Sequence, residues 1–304
     1  MASSPVRRVN RQSLLTHLRV LQGERHPYTS RAHLEAAQAY VASQWWQWGL
    51  QVVPDEFSHQ GERFANLIAR PIACPPGPRL ILGAHLDTVP GSPGADDNSS
   101  GVAALLEIAR LTALSAQPLP IEFAAFALEE LGLLGSSHDA AGLRRNGAAL
   151  IGMLSLEMIG FTESEGLQHY PWFLRGRFPA SGTYIGLAAN RCSSPLLKTV
   201  DRAMRGISGL PVETLVVPGN GWAVPEIRLS DHAPFWDRGY PALLVTDTAF
   251  FRNPHYHQAS DTVETLALDF LERVTQGLVA AVEALTKASP TAPLPLNREA
   301  CLPP

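Results

Sequence analysis

Three short apolar runs constrain this chain more than anything else in it, because each stops at a group that can bind a metal or move a proton. LILGA leads into His85, Leu86 and Asp87, IEFAAFAL into Glu129 and Glu130, and ALIGMLSL into Glu157. Near-continuous apolar runs of this kind are what strands covered on both faces look like. The helical run GVAALLEIARL separates the first two, and a turn and helix starting near Gly135 separate the second from the third. Strand, helix, strand, helix predicts a mostly parallel sheet with helices on both faces, and such sheets gather ligands at the carboxyl ends of their strands. An apolar strand has no packing reason to end in acids three times over.

Two further groups converge on that edge. Asp96 and Asp97 close a loop of Gly, Pro and Ser and stand directly before the helix-start signal Asn98, Ser99, Ser100, while His257 lies in the loop before the last helix. Taken singly, a histidine near a strand end is more often satisfied within the core, and a Glu-Glu pair is more often a solvated helix start. The combination carries the reading. Carboxylate and imidazole without thiolate suit zinc, and also manganese or cobalt, and a carboxylate between two ions can bridge them.

The remaining pattern is compatible with one domain over residues 1–287. Helices are expected over Arg11–Leu21 and Ser30–Trp48, with a hairpin turning at His59–Glu62. Phe161–Thr183 is too long and too rich in Gly, Pro and aromatics for an ordinary connection, and is expected to wall or cover the site. A strand from Thr183, helix Pro195–Ile207, strand Val212–Val216, an irregular stretch Pro218–Arg228, strand Pro241–Val245 and a helix over Thr262–Lys287 complete the domain. Residues 288–304 read as a proline-rich, disordered tail. A formal net charge of -4 over 304 residues gives no electrostatic reason to seek nucleic acid. The three scattered cysteines argue against a disulfide framework, and neither a secretory signal nor an apolar run long enough to span a bilayer is visible. The expected setting is therefore the cytoplasm, without a membrane or nucleic-acid partner.

The motifs GAHLDTVPGSPGADDNSSG, LEELGLLGS, LSLEMIG, SDHAPFW and HYHQASDT, in that order, resemble the M28 peptidases, the co-catalytic zinc aminopeptidases of the Aeromonas and Streptomyces type. The resemblance implies a three-layer α/β sandwich of the zinc-dependent exopeptidase type, with a mostly parallel mixed sheet between helices. It also implies two Zn2+ ions, with Mn2+ or Co2+ as possible substitutes. His85 and Glu157 would hold one ion and Glu130 and His257 the other, with Asp97 bridging them and Asp96 a loop residue. Asp87 would orient His85, and Glu129 would be the general base. Tyr256 is similar in position to a tyrosine that serves the oxyanion in some relatives. One position departs from the pattern, since many members carry Asp where this chain has Glu157, and the extra methylene lengthens its reach.

Chemistry independent of the resemblance agrees with these roles. Two divalent ions a few ångströms apart can share a water and polarise a carbonyl, and a nearby carboxylate that is not a ligand can take the water's proton. Asp231 and His232 are expected to support the site from behind, and His59, His138 and His255 to be structural or solvated. Glu129 and Glu157 are the acids available to a free ammonium, and Trp222, Phe235, Phe250 or Phe251 could build an apolar pocket. The expected substrate is a short peptide or aminoacyl compound. The side-chain preference and the oligomeric state cannot be read from the sequence. A single-zinc glutaminyl-cyclase-like transferase, an M20-like carboxypeptidase or deacylase, and a non-catalytic binding protein stay open as alternatives.

Overall fold

Leu80, Leu82 and Ala84 pack into one apolar cluster and Ile81 into another, because alternate strand residues face opposite sides of a sheet. The computed structural model describes residues 8–165 and 168–287. Its strands are β1 (Leu50–His59), β2 (Glu62–Pro71), β3 (Arg79–His85), β4 (Ile121–Phe126), β5 (Leu150–Glu157), β6 (Ile185–Asn190), β7 (Val212–Val217) and β8 (Ala242–Thr246). The helices are α1 (Arg11–Leu21), α2 (Arg31–Gln47), α3 (Gly101–Ala113), α4 (Leu134–Arg145), α5 (Ser194–Arg205), α6 (His232–Asp237) and α7 (Leu268–Lys287).

The strands form one mixed sheet in the order β1-β2-β4-β3-β5-β8-β6-β7. Parallel pairing joins β3 to β4 and β5, β5 to β8, and β6 to β7, while β1–β2, β2–β4 and β6–β8 are antiparallel. Helices α1, α2, α3, α5 and α7 share the larger cluster on one face, and α4 and α6 cover part of the other. This is the three-layer sandwich expected from the sequence. The central run is buried on every side: β4 is closed along its whole length, and α3 keeps eleven of its residues buried. Burial of this kind is the main favourable term in folding, at roughly 25 cal/mol per Å2 of apolar surface.

Three details differ from the sequence reading. The last helix begins at Leu268, because residues 262–267 are tied by main-chain donors to other parts of the fold. There the Val263 N–H donates to Gln22 Oε1 at 3.2 Å, and the Ala267 N–H to the Gly160 carbonyl at 2.9 Å. Helix α6 is six residues long and carries Pro234 in its first turn, too short to show a helical period in the sequence. Cys192 is disulfide-bonded, against the expectation that the cysteines stay apart, whereas Cys74 is free. The stretch 288–304 lies outside the described residues. No helix among the described residues is long and apolar enough to cross a membrane.

Candidate metal centre

The carboxyl end of the sheet gathers the groups that the sequence brought to its strand ends. His85 ends β3, Glu157 ends β5, and Glu129 and Glu130 follow β4. Asp97 and His257 arrive from loops. His85 Nε2 lies 3.2 Å from Asp97 Oδ1 and 3.3 Å from Glu157 Oε1. The other Asp97 oxygen, Oδ2, lies 3.2 Å from His257 Nε2, which is also 3.2 Å from Glu130 Oε2. One aspartate thus divides its two oxygens between two histidine-carboxylate sets. Two ligands held ~2.0–2.1 Å from one tetrahedral zinc lie about 3.3–3.4 Å apart, so these separations fit the donors of such an ion. Glu129 stands farther off, its Oε2 3.9 Å from His85 Nε2.

Unsatisfied atoms fit the same conclusion. His257 Nε2 has no partner in hydrogen-bond geometry despite its two close carboxylate oxygens, and Glu130 Oε1 is shut from solvent with no donor. Buried polar groups are normally paired, and a cation between these atoms would satisfy them together. Both histidine-carboxylate sets are among the groups able to hold an ion: His85, Asp97 and Glu157, and Asp97, Glu130 and His257. The trio His85, Glu129 and Glu130 is a third arrangement that meets the same distance limit.

The backbone around these side chains is held by further buried acids and amides. The Asp87 carboxylate accepts the N–H groups of Glu129 at 3.0 Å and Glu130 at 3.1 Å, and so fixes both glutamates from below. Its relation to His85 is different from the expected one. The hydrogen-bond-length approach to His85 Nδ1 comes from the Asp87 main-chain oxygen at 3.1 Å, with the carboxylate Oδ1 at 3.8 Å. Asp261 accepts from the Asp96 and Asp97 N–H groups at 2.9 and 3.1 Å. Asn98 is the hub of the helix start, since its Oδ1 takes the N–H groups of Gly101 and Met158 and its Nδ2 donates to the Leu156 carbonyl. Position 101 must be glycine in this arrangement, because a Cβ there would sit 2.4 Å from Asn98 Oδ1 and 2.6 Å from the Leu156 oxygen. Ser230 Oγ donates to Glu157 Oε2 at 2.9 Å.

Backbone strain is concentrated here too. Leu128, Met158 and His257 all take left-handed φ values, +59°, +46° and +58°. Each adjoins a metal-ligating candidate or the proposed base, or is itself such a candidate, and each such conformation costs on the order of 1–3 kcal/mol.

The site is short of positive charge. Burial pushes Glu129, Glu130 and Glu157 above the ordinary carboxylate range, Glu130 to about 7. Burial opposes ionisation of Asp97 as well, but the imidazoles of His257 and His85 outweigh it and hold that carboxyl below its ordinary range. Four buried acids facing two imidazoles are what a divalent cation would neutralise.

One residue that sequence reasoning passed over lies just behind. Arg25 is 2 % exposed, and its guanidinium donates only to main-chain carbonyls. These are Leu86 at 2.7 Å, Gly23 at 2.7 Å, Pro93 at 3.1 Å, Gly94 at 3.1 Å, and Leu21. It therefore clasps both ends of the loop that runs from Asp87 to Asp97. Burial lowers its pKa to about 10, which leaves it charged at neutral pH. Arg25→Met is expected to cost about 3 kcal/mol or more, because several buried acceptors lose their donor at once. Denaturant unfolding checks this, and a midpoint matching wild type would show that the carbonyls find other partners.

A pocket of about 1030 Å3, a volume that includes open solvent at its mouth, lies beside Asp97, Glu129, Glu130, Glu157 and His257. Phe250 and Phe251 line it as expected, whereas the other two aromatics do not. Phe235 is fully buried against Phe126 and Tyr240, and Trp222 is 65 % exposed with Arg228 over its ring. The segment following Gly160 supplies a wall through Tyr170, Leu174 and Phe178. Tyr256 also lines the pocket, its ring stacked on His257 at 3.7 Å between centroids. Asp231 and His232 are fully buried behind the site, and His232 lies edge-on to Trp236. His138 sits apart, 3.3 Å from Asp55.

A model of peptidase family M28 matches residues 66–282. The chain belongs to peptidase family M28. YfbL of Escherichia coli, an uncharacterized protein, is 31% identical over 262 residues, 81% of this chain and 79% of YfbL. A probable leucine aminopeptidase of Trichophyton verrucosum is 28% identical over 295 residues, 89% of this chain and 72% of the fungal protein. The solved structure of the Legionella pneumophila LapA aminopeptidase matches with a TM-score of 0.71 at 20% identity, over 91% of this chain and 72% of LapA, a likeness of fold. Within this M28 peptidase the family match includes His85, Asp97, Glu129, Glu130, Glu157 and His257 and leaves out Arg25.

Proposed function

We propose that this M28 peptidase is a two-metal aminopeptidase that removes the N-terminal residue of short peptides. The observation that carries the reading is the division of Asp97, whose two oxygens each lie 3.2 Å from a different histidine nitrogen. His85, Asp97 and Glu157 would hold one zinc, and Asp97, Glu130 and His257 the other. Bound there, zinc supplies Lewis acidity, polarising the scissile carbonyl and acidifying a water. Glu129 takes the proton of the attacking water and returns it to the leaving amine, a role suited to a carboxylate beside the ligands but set back from them. Tyr256, on the pocket wall, offers its hydroxyl to the developing oxyanion. Glu129 and Glu157 face the free α-ammonium and set the register of the chain end.

The test is amino-acid release from short peptides with free and with acetylated amino termini, using zinc-reconstituted protein. Release from free peptides alone is the expected result. Cleavage from the carboxyl end, or of acetylated peptides, would move the chemistry toward a carboxypeptidase or deacylase. A single bound ion together with cyclisation of N-terminal glutamine would favour the cyclase-like reading, and protein that binds no metal would favour a binding role.

A further inference from the structure

The pocket beside the metal centre is walled mainly by apolar side chains, yet two carboxylates in it have no ion-pair or hydrogen-bond partner among the described residues. Its floor is one row across four strands. Glu157 of β5 is in register with Thr246 of β8, Thr246 with Gly186 of β6, and Gly186 with Glu213 of β7. Partners in register project to the same face, and neighbouring strands lie ~4.8 Å apart, so about 14 Å of backbone separates the two acids. Glu157 stands at the metal end and Glu213 at the far end. Gly186 keeps the row low between them, and Leu215 and Leu244 lie alongside it in the lining.

Glu226 reaches the same pocket from the turn Pro225–Arg228. Its Oε2 is shut off from solvent and has no hydrogen-bond partner. The Glu213 carboxylate makes no ion pair or hydrogen bond among the described residues. Two arginines beside the lining are committed elsewhere, and a third, Arg177, lies over the ring of Phe178. Arg228 pairs with Asp237 at 2.7 Å and covers the Trp222 ring, and Arg252 lies over the Tyr184 ring and donates to the Phe161 carbonyl. A neutral apolar side chain filling this pocket would strip water from both acids and give them nothing in return.

We propose that the pocket selects an N-terminal residue with a long cationic side chain, lysine or arginine, whose stem lies over Gly186 between Leu215 and Leu244 and whose cation meets Glu213 and Glu226. The proposal rests on the aminopeptidase reading, because the metal centre fixes which end of the substrate enters. An apolar wall suits the methylene stem, and two half-buried carboxylates on the same pocket suit the charged tip. An N-terminal Glu or Asp is repelled by the same pair.

The experiment compares lysyl, arginyl, norleucyl and glutamyl dipeptides as substrates of the zinc-reconstituted protein. Norleucine repeats the lysine stem without its ammonium. Calorimetric binding of free lysine and free norleucine is measured alongside. Lysine should exceed norleucine by roughly tenfold in kcat/KM and in affinity, the scale of one charge-assisted contact. Glutamyl dipeptides should be the poorest substrates. In Glu213→Gln and Glu226→Gln the lysine-to-norleucine ratio should fall toward one. Norleucine equal to or better than lysine in the wild type, a ratio unmoved by both substitutions, or no binding of lysine would each overturn the proposal. If no dipeptide is hydrolysed while lysine still binds better than norleucine, the aminopeptidase reading fails and the pocket assignment stands.

Discussion

Glu129→Gln is expected to lower kcat by roughly 10²–10⁴-fold, the usual worth of a positioned general base, with metal content unchanged. The substitution keeps the size of the side chain and removes its basicity. Glu129 Oε2 is 3.9 Å from His85 Nε2, whereas four other carboxylate–imidazole contacts in the site fall at 3.2–3.3 Å. It is therefore set back from both sets, where the proposed mechanism needs a base. Steady-state kinetics and elemental analysis on the same preparation check the prediction. The metal measurement decides between two roles, because His85, Glu129 and Glu130 also lie close enough together to hold an ion. Loss of metal along with activity would make Glu129 a ligand. Full activity would remove it from the reaction.

The parts of this site that the sequence revealed are those where local pattern and chemistry disagree. A strand such as IEFAAFAL should end in a turn, and its ending in Glu129 and Glu130 marks the sheet edge as chemical ground. His85 and Glu157 were legible for the same reason. Asp97 and His257 lie in loops without periodicity; the helix-start signal marked Asp97 and the loop before the last helix His257, but only the order of motifs gave each a role. Arg25 left no such sign, since a lone arginine between two helices resembles any solvated surface charge, and its carbonyl partners lie up to 69 residues away. The period of VETLVV places Glu213 and Leu215 on one face of β7, but it cannot say that this face is open. That depends on Gly186 of β6 and on the long segment after Gly160, both fixed by tertiary packing. Phe235 misled for a related reason: in SDHAPFW it reads as a pocket aromatic, whereas the short helix α6 turns it into the core beside Phe126.

Asp97→Asn should abolish activity and reduce bound zinc to at most one ion per chain. An amide offers one acceptor oxygen where the carboxylate offers two, and its other atom is an N–H2 donor that cannot ligate. Because Oδ1 serves the His85 side and Oδ2 the His257 side, either amide rotamer leaves one set without its shared anion. The loss in affinity should exceed the roughly 10–100-fold that follows removal of a supporting group outside the ligand set. Folding should report it as well, since an ion that binds only the native state raises stability by an amount that grows with its concentration over its Kd. Wild-type protein should gain thermal stability on zinc addition, and Asp97→Asn should gain much less at the same zinc concentration. Equilibrium dialysis with elemental analysis and thermal unfolding measure the two effects. Two ions retained by Asp97→Asn would mean that Asp97 does not bridge. One ion in a fully active wild type would mean that the two sets serve a single metal and that the hydrolysis needs no second one.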